Sequence, residues 1–175
     1  MNLENFLAQL GSSKGAPGGG AAAALTGATG AALIEMTARL NDKRNKRSSG
    51  NAAHAARLRG RLHGLIAKDA AAFKSVQKAY SVRKKQPAAW QSALKIGASV
   101  PLEICSACAE AASLAKKEKN RTSQWLESDR REALVLLKSA FASAKLNVEI
   151  NLKEMRPGTF KKQAQRKLKT WRQSL

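Results

Sequence analysis

Four groups of residues in this 175-residue chain could act on another molecule. The first is Asp69. Leu58, Leu62, Leu65, Asp69, Phe73, Val76 and Tyr80 follow one another at steps of 4, 3, 4, 4, 3 and 4, so the aspartate takes a position its neighbours give to apolar side chains. A carboxylate in a core costs several kcal/mol unless it is paired or hydrogen-bonded. Asp69 therefore either closes a buried polar network or faces a ligand cavity. In a cavity, desolvation would raise its pKa and nearby cations would lower it, which suits a general base or a nucleophile.

The second group is the loop Ala16-Pro17-Gly18-Gly19-Gly20, followed by a helical pattern. Free N–H groups at a helix N-terminus attract anions. The loop is no Walker A motif, because no Gly-Lys-Ser/Thr follows, and no dinucleotide fingerprint, because no strand precedes it. A plain flexible turn is the other reading. The third group is Cys105 and Cys108, a C-x-x-C inside an alanine-rich helical segment, with His54 and His63 far upstream. Without a second cysteine pair the thiols read as small core residues, and no metal site is expected. His63 is expected at the surface, and no Ser-His-Asp arrangement can be built. The fourth group is Asn147 and Asn151, which share a helix face at i, i+4. Such amides either satisfy neighbouring backbone or contact a ligand.

These side chains must be positioned by helices. Alanine, the best helix former, occurs 33 times, while aromatic residues make up 5% of the chain. The core must then come from close backbone approach, in one domain spanning 1–175. The expected fold is an all-α bundle of five or six helices with one long central helix.

Leu3, Phe6, Leu7 and Leu10 give a short helix ending at Gly11. A second runs from Ala21 to Leu40, with Leu25, Thr29, Ala32, Leu33, Met36 and Leu40 on one face and Gly27, Gly30 and alanines on the others. Residues 41–50 are a polar break. The long helix then covers Asn51 to Tyr80, roughly 45 Å at 1.5 Å per residue. Another runs from Ala88 to Ala115 and contains Pro101, which must kink it or start a new helix. After a polar loop over 116–128, Asp129 precedes Glu132 at capping-box spacing and opens a helix with Leu134, Leu137, Phe141, Ala144 and Val148 in register. Residues 159–175 form a basic C-terminal helix with Phe160, Ala164, Leu168 and Trp171 on one face.

The charge balance is 32 basic against 12 acidic residues, a net +20. Residues 39–63 hold eight Arg/Lys and one Asp, and residues 153–175 hold eight Arg/Lys and one Glu, so each contributes +7. Clustering of this kind reads as a binding field for an anionic partner: nucleic acid, a polyanionic small molecule or an acidic membrane surface. Solvated helix faces with a basic tail are the plainer reading. No run of about 18 apolar residues exists, so no transmembrane helix is expected, and a membrane is not retained among the expected partners. The N-terminus lacks the pattern of a secretory signal, and two cysteines suit a reducing cytoplasm.

Four blocks taken together resemble the cyclodeaminase/cyclohydrolase family, found as the C-terminal domain of formiminotransferase-cyclodeaminase and as standalone methenyltetrahydrofolate cyclohydrolases. They are FLAQL with APGGGAAAALTGATGAALIEMTARL, LIAKDAAAF with a following AY, ASVPLEI, and ESDRREAL leading into LNVEINLKEM. The resemblance covers about Phe6 to Phe160. It implies a dimerising all-α bundle, Asp69 as the catalytic aspartate, and Pro17, Gly18, Gly19 and Gly20 as the substrate loop, with Asn147 and Asn151 as further candidate contacts. The implied substrate is a tetrahydrofolate derivative, with no other cofactor. Its polyglutamate tail would suit the basic segments. Ala21 stands where the family commonly has serine, Asn120 lies unusually far from Ser128 and Asp129, the 41–50 loop is basic and lacks an aromatic, and the stretch from Tyr80 to Leu94 is shortened. A competing expectation is an inactive relative that uses its basic clusters to bind nucleic acid or another polyanion. Three Trp, one Tyr and no helix-turn-helix rank it second.

Overall fold

The computed structural model describes residues 2–175. Among these, the chain forms six α-helices and no strand: α1 Leu3–Leu10, α2 Gly19–Arg44, α3 Asn51–Ser81, α4 Pro87–Glu118, α5 Glu127–Glu154 and α6 Thr159–Gln173. Two short 3-10 turns, Lys119–Arg121 and Gln124–Leu126, join α4 to α5. Helices α2, α3, α4 and α5 pack against one another, and α6 lies on α4.

Helices α2 and α4 each pack against the other three of these four, whereas the long α3, expected to be central, packs chiefly against those two. The small residues of α2 face inward. Ala21, Ala23, Ala24, Gly27, Ala28, Gly30, Ala31, Ile34 and Ala38 are buried, whereas Met36 and Leu40 on the large-residue face are exposed. The side that lacks bulk is the one on which neighbours can come closest. A Cβ at Gly27 would lie 2.9 Å from Cys108 Sγ, and one at Gly30 would lie 2.9 Å from Leu137 Cγ and 3.2 Å from the Ala133 carbonyl oxygen. Helix α2 is long and apolar enough to cross a membrane by length and composition, but 56% of its most apolar window is buried inside the bundle.

A polar clamp closes one end of the bundle. The fully buried Glu118 side chain, at the C-terminus of α4, accepts from Asn41 Nδ2 of α2 at 2.7 Å and from Asn51 Nδ2 of α3 at 2.6 Å. Arg121 joins it to Asp42 at 2.6 Å. Arg130 of α5 donates to the Ala115 carbonyl at 3.2 Å, satisfying an acceptor in the last turn of α4. Ends of four helices are thereby tied together through side chains.

Several expected boundaries move. Helix α2 starts at Gly19 and runs on to Arg44, because Asn41 is held by the clamp rather than released into a loop. Helix α5 starts at Glu127, with Leu126 at its cap, so Asp129 lies in the first turn and does not cap. Acidic groups there still favour the helix through its dipole. Pro101 lies inside one continuous helix and starts no new one. The apolar stripe of α3 is buried at Leu58, Leu62 and Leu65 but emerges after Asp69, leaving Phe73 45% and Tyr80 54% exposed.

Opposite responses to alanine test the close packing of α2. Gly60 of α3 has nothing within 4 Å of an added Cβ. Gly60→Ala should stabilise the fold by about 0.5–1 kcal/mol through helix propensity. Gly30→Ala should destabilise it by about 1–2 kcal/mol, overpacking outweighing the same gain. Urea unfolding of the two variants measures both signs.

Candidate functional site

At the end of the bundle away from the clamp, the helices part around a cleft of about 310 Å³. That size lies at the small end of ordinary ligand pockets. Its wall holds Gly15, Gly18, Gly19 and Gly20 from the loop and first turn of α2, with Asp69, Ala72, Phe73 and Val76 from α3. Gly97 of α4 and Asn147, Ile150 and Asn151 of α5 complete it. Asp69 is the only charged residue in this lining.

The Asp69 carboxylate lies against the first turn of α2. A Cβ at position 20 would sit 2.1 Å from its Oδ1 and 2.6 Å from its Oδ2, so only glycine lets the two elements meet. Burial pushes the Asp69 pKa above the usual 3.8, and the nearby Ala21 backbone N–H opposes this with a smaller, lowering effect. The anion attracted to this helix N-terminus is thus a side chain of the protein itself. Ala21 is fully buried behind it.

Pro101 explains the position of Asn151. A proline within a helix cannot donate to the carbonyl four residues earlier, here Gly97. Asn151 Nδ2 donates to that carbonyl at 3.3 Å and to the Asn147 carbonyl at 2.8 Å. Its Oδ1 lies 2.6 Å from where a Gly97 Cβ would be, with Val76 Cγ2 at 2.7 Å from the same point. Gly97 and Pro101 together therefore let α4 approach α5 and hold the Asn151 amide at the cleft. Asn147 Nδ2 donates to the Ser143 carbonyl at 3.2 Å. Both asparagines satisfy backbone with their amide nitrogens, leaving their oxygens as acceptors.

Of the residues singled out from sequence, Asp69, Gly18, Gly19, Gly20, Asn147 and Asn151 converge on this cleft, whereas Pro17 does not line it. The Ala16–Pro17 peptide is cis. Gly15, with φ +73°, approaches Phe73, whose Cε1 is 3.8 Å from the position of an added Cβ. Phe73 and Val76 had the register of core residues, and their place in the cleft wall was not foreseen. Gly97 was also missed, although its spacing from Pro101 carried the signal. Cys105 and Cys108 are fully buried, with the Cys108 thiol pushed up to about 12 by burial and that of Cys105 also raised. Both are inert packing residues.

Residues 2–170 match the family model described as formiminotransferase-cyclodeaminase. The chain belongs to that family. It is 36% identical over 164 residues to a methenyltetrahydrofolate cyclohydrolase of Methylorubrum extorquens, covering 86% of this chain and 79% of that protein. It is 30% identical over 181 residues to the formimidoyltransferase-cyclodeaminase of Sus scrofa, covering 95% of this chain but 33% of that longer protein. The crystal structure of formiminotetrahydrofolate cyclodeaminase from Thermotoga maritima superposes with a TM-score of 0.90 at 31% identity, covering 99% of this chain and 89% of that one. The family resemblance read from the four sequence blocks is thereby borne out.

Burial of Asp69 has a measurable cost. Because its folded pKa is raised, the folded state prefers the protonated acid. That contribution is fully present below about pH 3.8 and is lost as pH rises through the folded pKa. Asp69→Asn removes the ionised form. Its stability relative to wild type should therefore rise between about pH 4 and about pH 8. Urea midpoints at the two pH values check this, and a difference that stayed constant or shrank would contradict the desolvated carboxylate.

Proposed function

We propose that this chain is a folate one-carbon enzyme that opens the methenyl ring of methenyltetrahydrofolate with water, Asp69 serving as general base. The observation that carries the reading is a desolvated carboxylate as the sole charge of a small cleft. Such a site favours a cation over an anion, and the amidinium-like methenyl carbon between N5 and N10 is cationic. Similarity to the Methylorubrum cyclohydrolase supports the same substrate.

The geometry suggests the following steps. Water positioned between the carboxylate and the methenyl carbon adds to that carbon, and Asp69 takes its proton. The resulting tetrahedral carbon is bonded to N5, N10 and a hydroxyl. Breaking the C–N5 bond forms the formyl carbonyl as the hydroxyl proton is released, and protonated Asp69 returns its proton to N5. The product is 10-formyltetrahydrofolate with one net proton released. A raised carboxyl pKa suits a group that must both accept and return a proton. The asparagine oxygens can accept N–H groups of the pterin, and Phe73 offers an apolar ring beside it. The α3 stripe continues to Tyr80, where the Arg83 guanidinium carbon lies 3.7 Å from the ring centroid. That cation supports a glutamate or polyglutamate tail leaving the cleft along α3.

The same pocket suits formimino ring closure, in which N10 attacks the 5-formimino carbon and ammonia leaves. The likeness to the Thermotoga cyclodeaminase favours keeping this second reading. Neither route calls for a cofactor beyond the folate, and we assign the enzyme to the cytoplasm. Side-by-side absorbance assays with methenyl and formimino substrates test the readings. Asp69→Asn should lower turnover of the active substrate by about 10²–10⁴-fold with the fold retained. The acid limb of the wild-type kcat/KM profile, which reports the free enzyme, should lie above the ordinary aspartate value and vanish in the variant. Unchanged turnover in Asp69→Asn would remove Asp69 from the mechanism.

We also propose a homodimer. Val135, Leu146 and Ile150 on α5 are 61–65% exposed, and Met36 and Leu40 add apolar surface on α2. A second copy covering these side chains would also border the cleft at Ile150. Light scattering at micromolar concentration should show a dimer for the wild type and a monomer for Leu146→Glu. A monomeric wild type would end the proposal.

A further inference from the structure

The two basic segments are not equivalent in three dimensions. In the first, Arg39 and Arg59 both bind Glu35 at 2.8 Å, Arg61 lies 3.9 Å from Glu110, and Arg44 donates to the Arg121 carbonyl. Half of its eight cations are thus engaged within the fold. In the second, none of the eight cations lies in an ion pair among the described residues. Lys161 alone of the α6 cations meets a protein acceptor, the Met155 carbonyl at 2.9 Å.

Helix α6 carries six of these cations and no acidic residue in 15 positions, about 22 Å of helix. Its apolar side is already used, since Ala164 and Leu168 are buried in the core and Phe160 and Trp171 pack against it. On the opposite side Lys162, Arg166 and Lys169, at steps of 4 and 3, form an exposed row. Like charges at such spacing repel, and Lys161 and Lys162 also oppose the helix dipole at the N-terminal turn. The row therefore works against the stability of its own helix. On the flank, Lys167 shares a surface depression with Arg61 of α3, beside Trp171, Ser99, Ser106 and one acid, Glu103. Glu149, paired with Lys145 at 2.8 Å, borders the other flank near Lys161.

We infer that the outer face of α6 is a docking surface for the phosphodiester backbone of nucleic acid. This function would accompany activity at the cleft rather than replace it, because none of these residues lines the cleft. A line of cations with no apolar residue among them fits a regular row of phosphates. It does not fit insertion into a bilayer, for which α6 has no apolar side left free. Recognition of this kind neutralises phosphates without reading bases, so RNA and DNA share the chemistry.

Fluorescence anisotropy with a labelled duplex DNA and a labelled single-stranded RNA of about 20 nucleotides tests this on the full chain. Wild type should bind at least one of the two at low salt, with affinity falling on a log–log slope of about −2 to −4, as expected for three or four phosphates. The arm that binds names the source. Lys162→Gln/Arg166→Gln/Lys169→Gln should weaken binding at least tenfold and flatten the slope by about 2 to 3. A second triple change in the first basic segment, Lys43→Gln/Lys46→Gln/Arg47→Gln, should leave both quantities near wild type. The α6 variant removes repulsion, so its circular dichroism and melting should be at least as good as wild type. Its turnover of a monoglutamyl methenyl substrate should be unchanged, which keeps failure of the folate reading separate. Absence of binding to both oligonucleotides, equal loss in the two triple variants, or binding to anionic vesicles or polyglutamate instead of oligonucleotides would each overturn the inference.

Discussion

The closeness of α2 to its neighbours is the constraint on which the remaining structure depends. A helix whose inward side is glycine and alanine cannot hold other helices at ordinary distances, so they come to its backbone. Leu137 and Cys108 occupy the space that side chains at Gly30 and Gly27 would fill. The same approach continued to the helix N-terminus brings Asp69 against Gly20, where a carboxylate takes the place of an apolar contact. Small residues thus perform two tasks with one geometry: dense packing along α2 and access of an acid to its end. The Glu118 clamp ties the other end of the bundle together through side-chain hydrogen bonds.

The cleft inherits its precision from backbone groups that regular helices do not satisfy. Pro101 withholds a donor from the Gly97 carbonyl, and Asn151 supplies one from another helix. A defect in one helix is thereby converted into the orientation of a side chain on a second. Asp69 makes the corresponding contact with the Ala21 N–H at the start of α2. In both cases an orphaned backbone group fixes a polar side chain that would otherwise have several rotamers in a small cavity. Placement of this kind suits chemistry in which atoms must meet within a few tenths of an ångström.

Much of this was legible in the sequence, and the rest was hidden for definite reasons. The aspartate at an apolar register position identified the site's charge because periodicity exposes an exception. It could not show where the stripe leaves the core, since Leu65 and Phe73 look alike in sequence while one is buried and the other borders the cleft. The glycines and alanines of α2 pointed to close helix contact, but not to which neighbours make it, because burial there follows backbone approach to Cys108 and Leu137 rather than hydrophobicity. Asp129 had cap spacing, but the cap of α5 lies three residues earlier at Leu126, where the Glu127–Arg130 pair helps fix the turn. Charge clustering was visible, yet its compensation was not. Glu35 to Arg59 and Glu110 to His54 are contacts between helices, which linear charge counting cannot see.

The carboxylate at the α2 N-terminus also reverses the meaning first given to the glycine loop. A free helix N-terminus would favour an anion, whereas here the protein supplies the anion and leaves a negative cleft. The electrostatic demand passes to the ligand, which satisfies it best by carrying positive charge. A bound methenyl cation would stabilise ionised Asp69 and draw its pKa down, opposing the burial that had raised it. The site is then most basic when empty of substrate and most fully ionised when substrate is bound. In the proposed hydration, the cation would be gone once water has added and the opposing influence would disappear with it, so the acid would regain its affinity for the proton. The charge change on the carbon can therefore set the order of the two proton transfers, with no second titrating residue in the cleft wall.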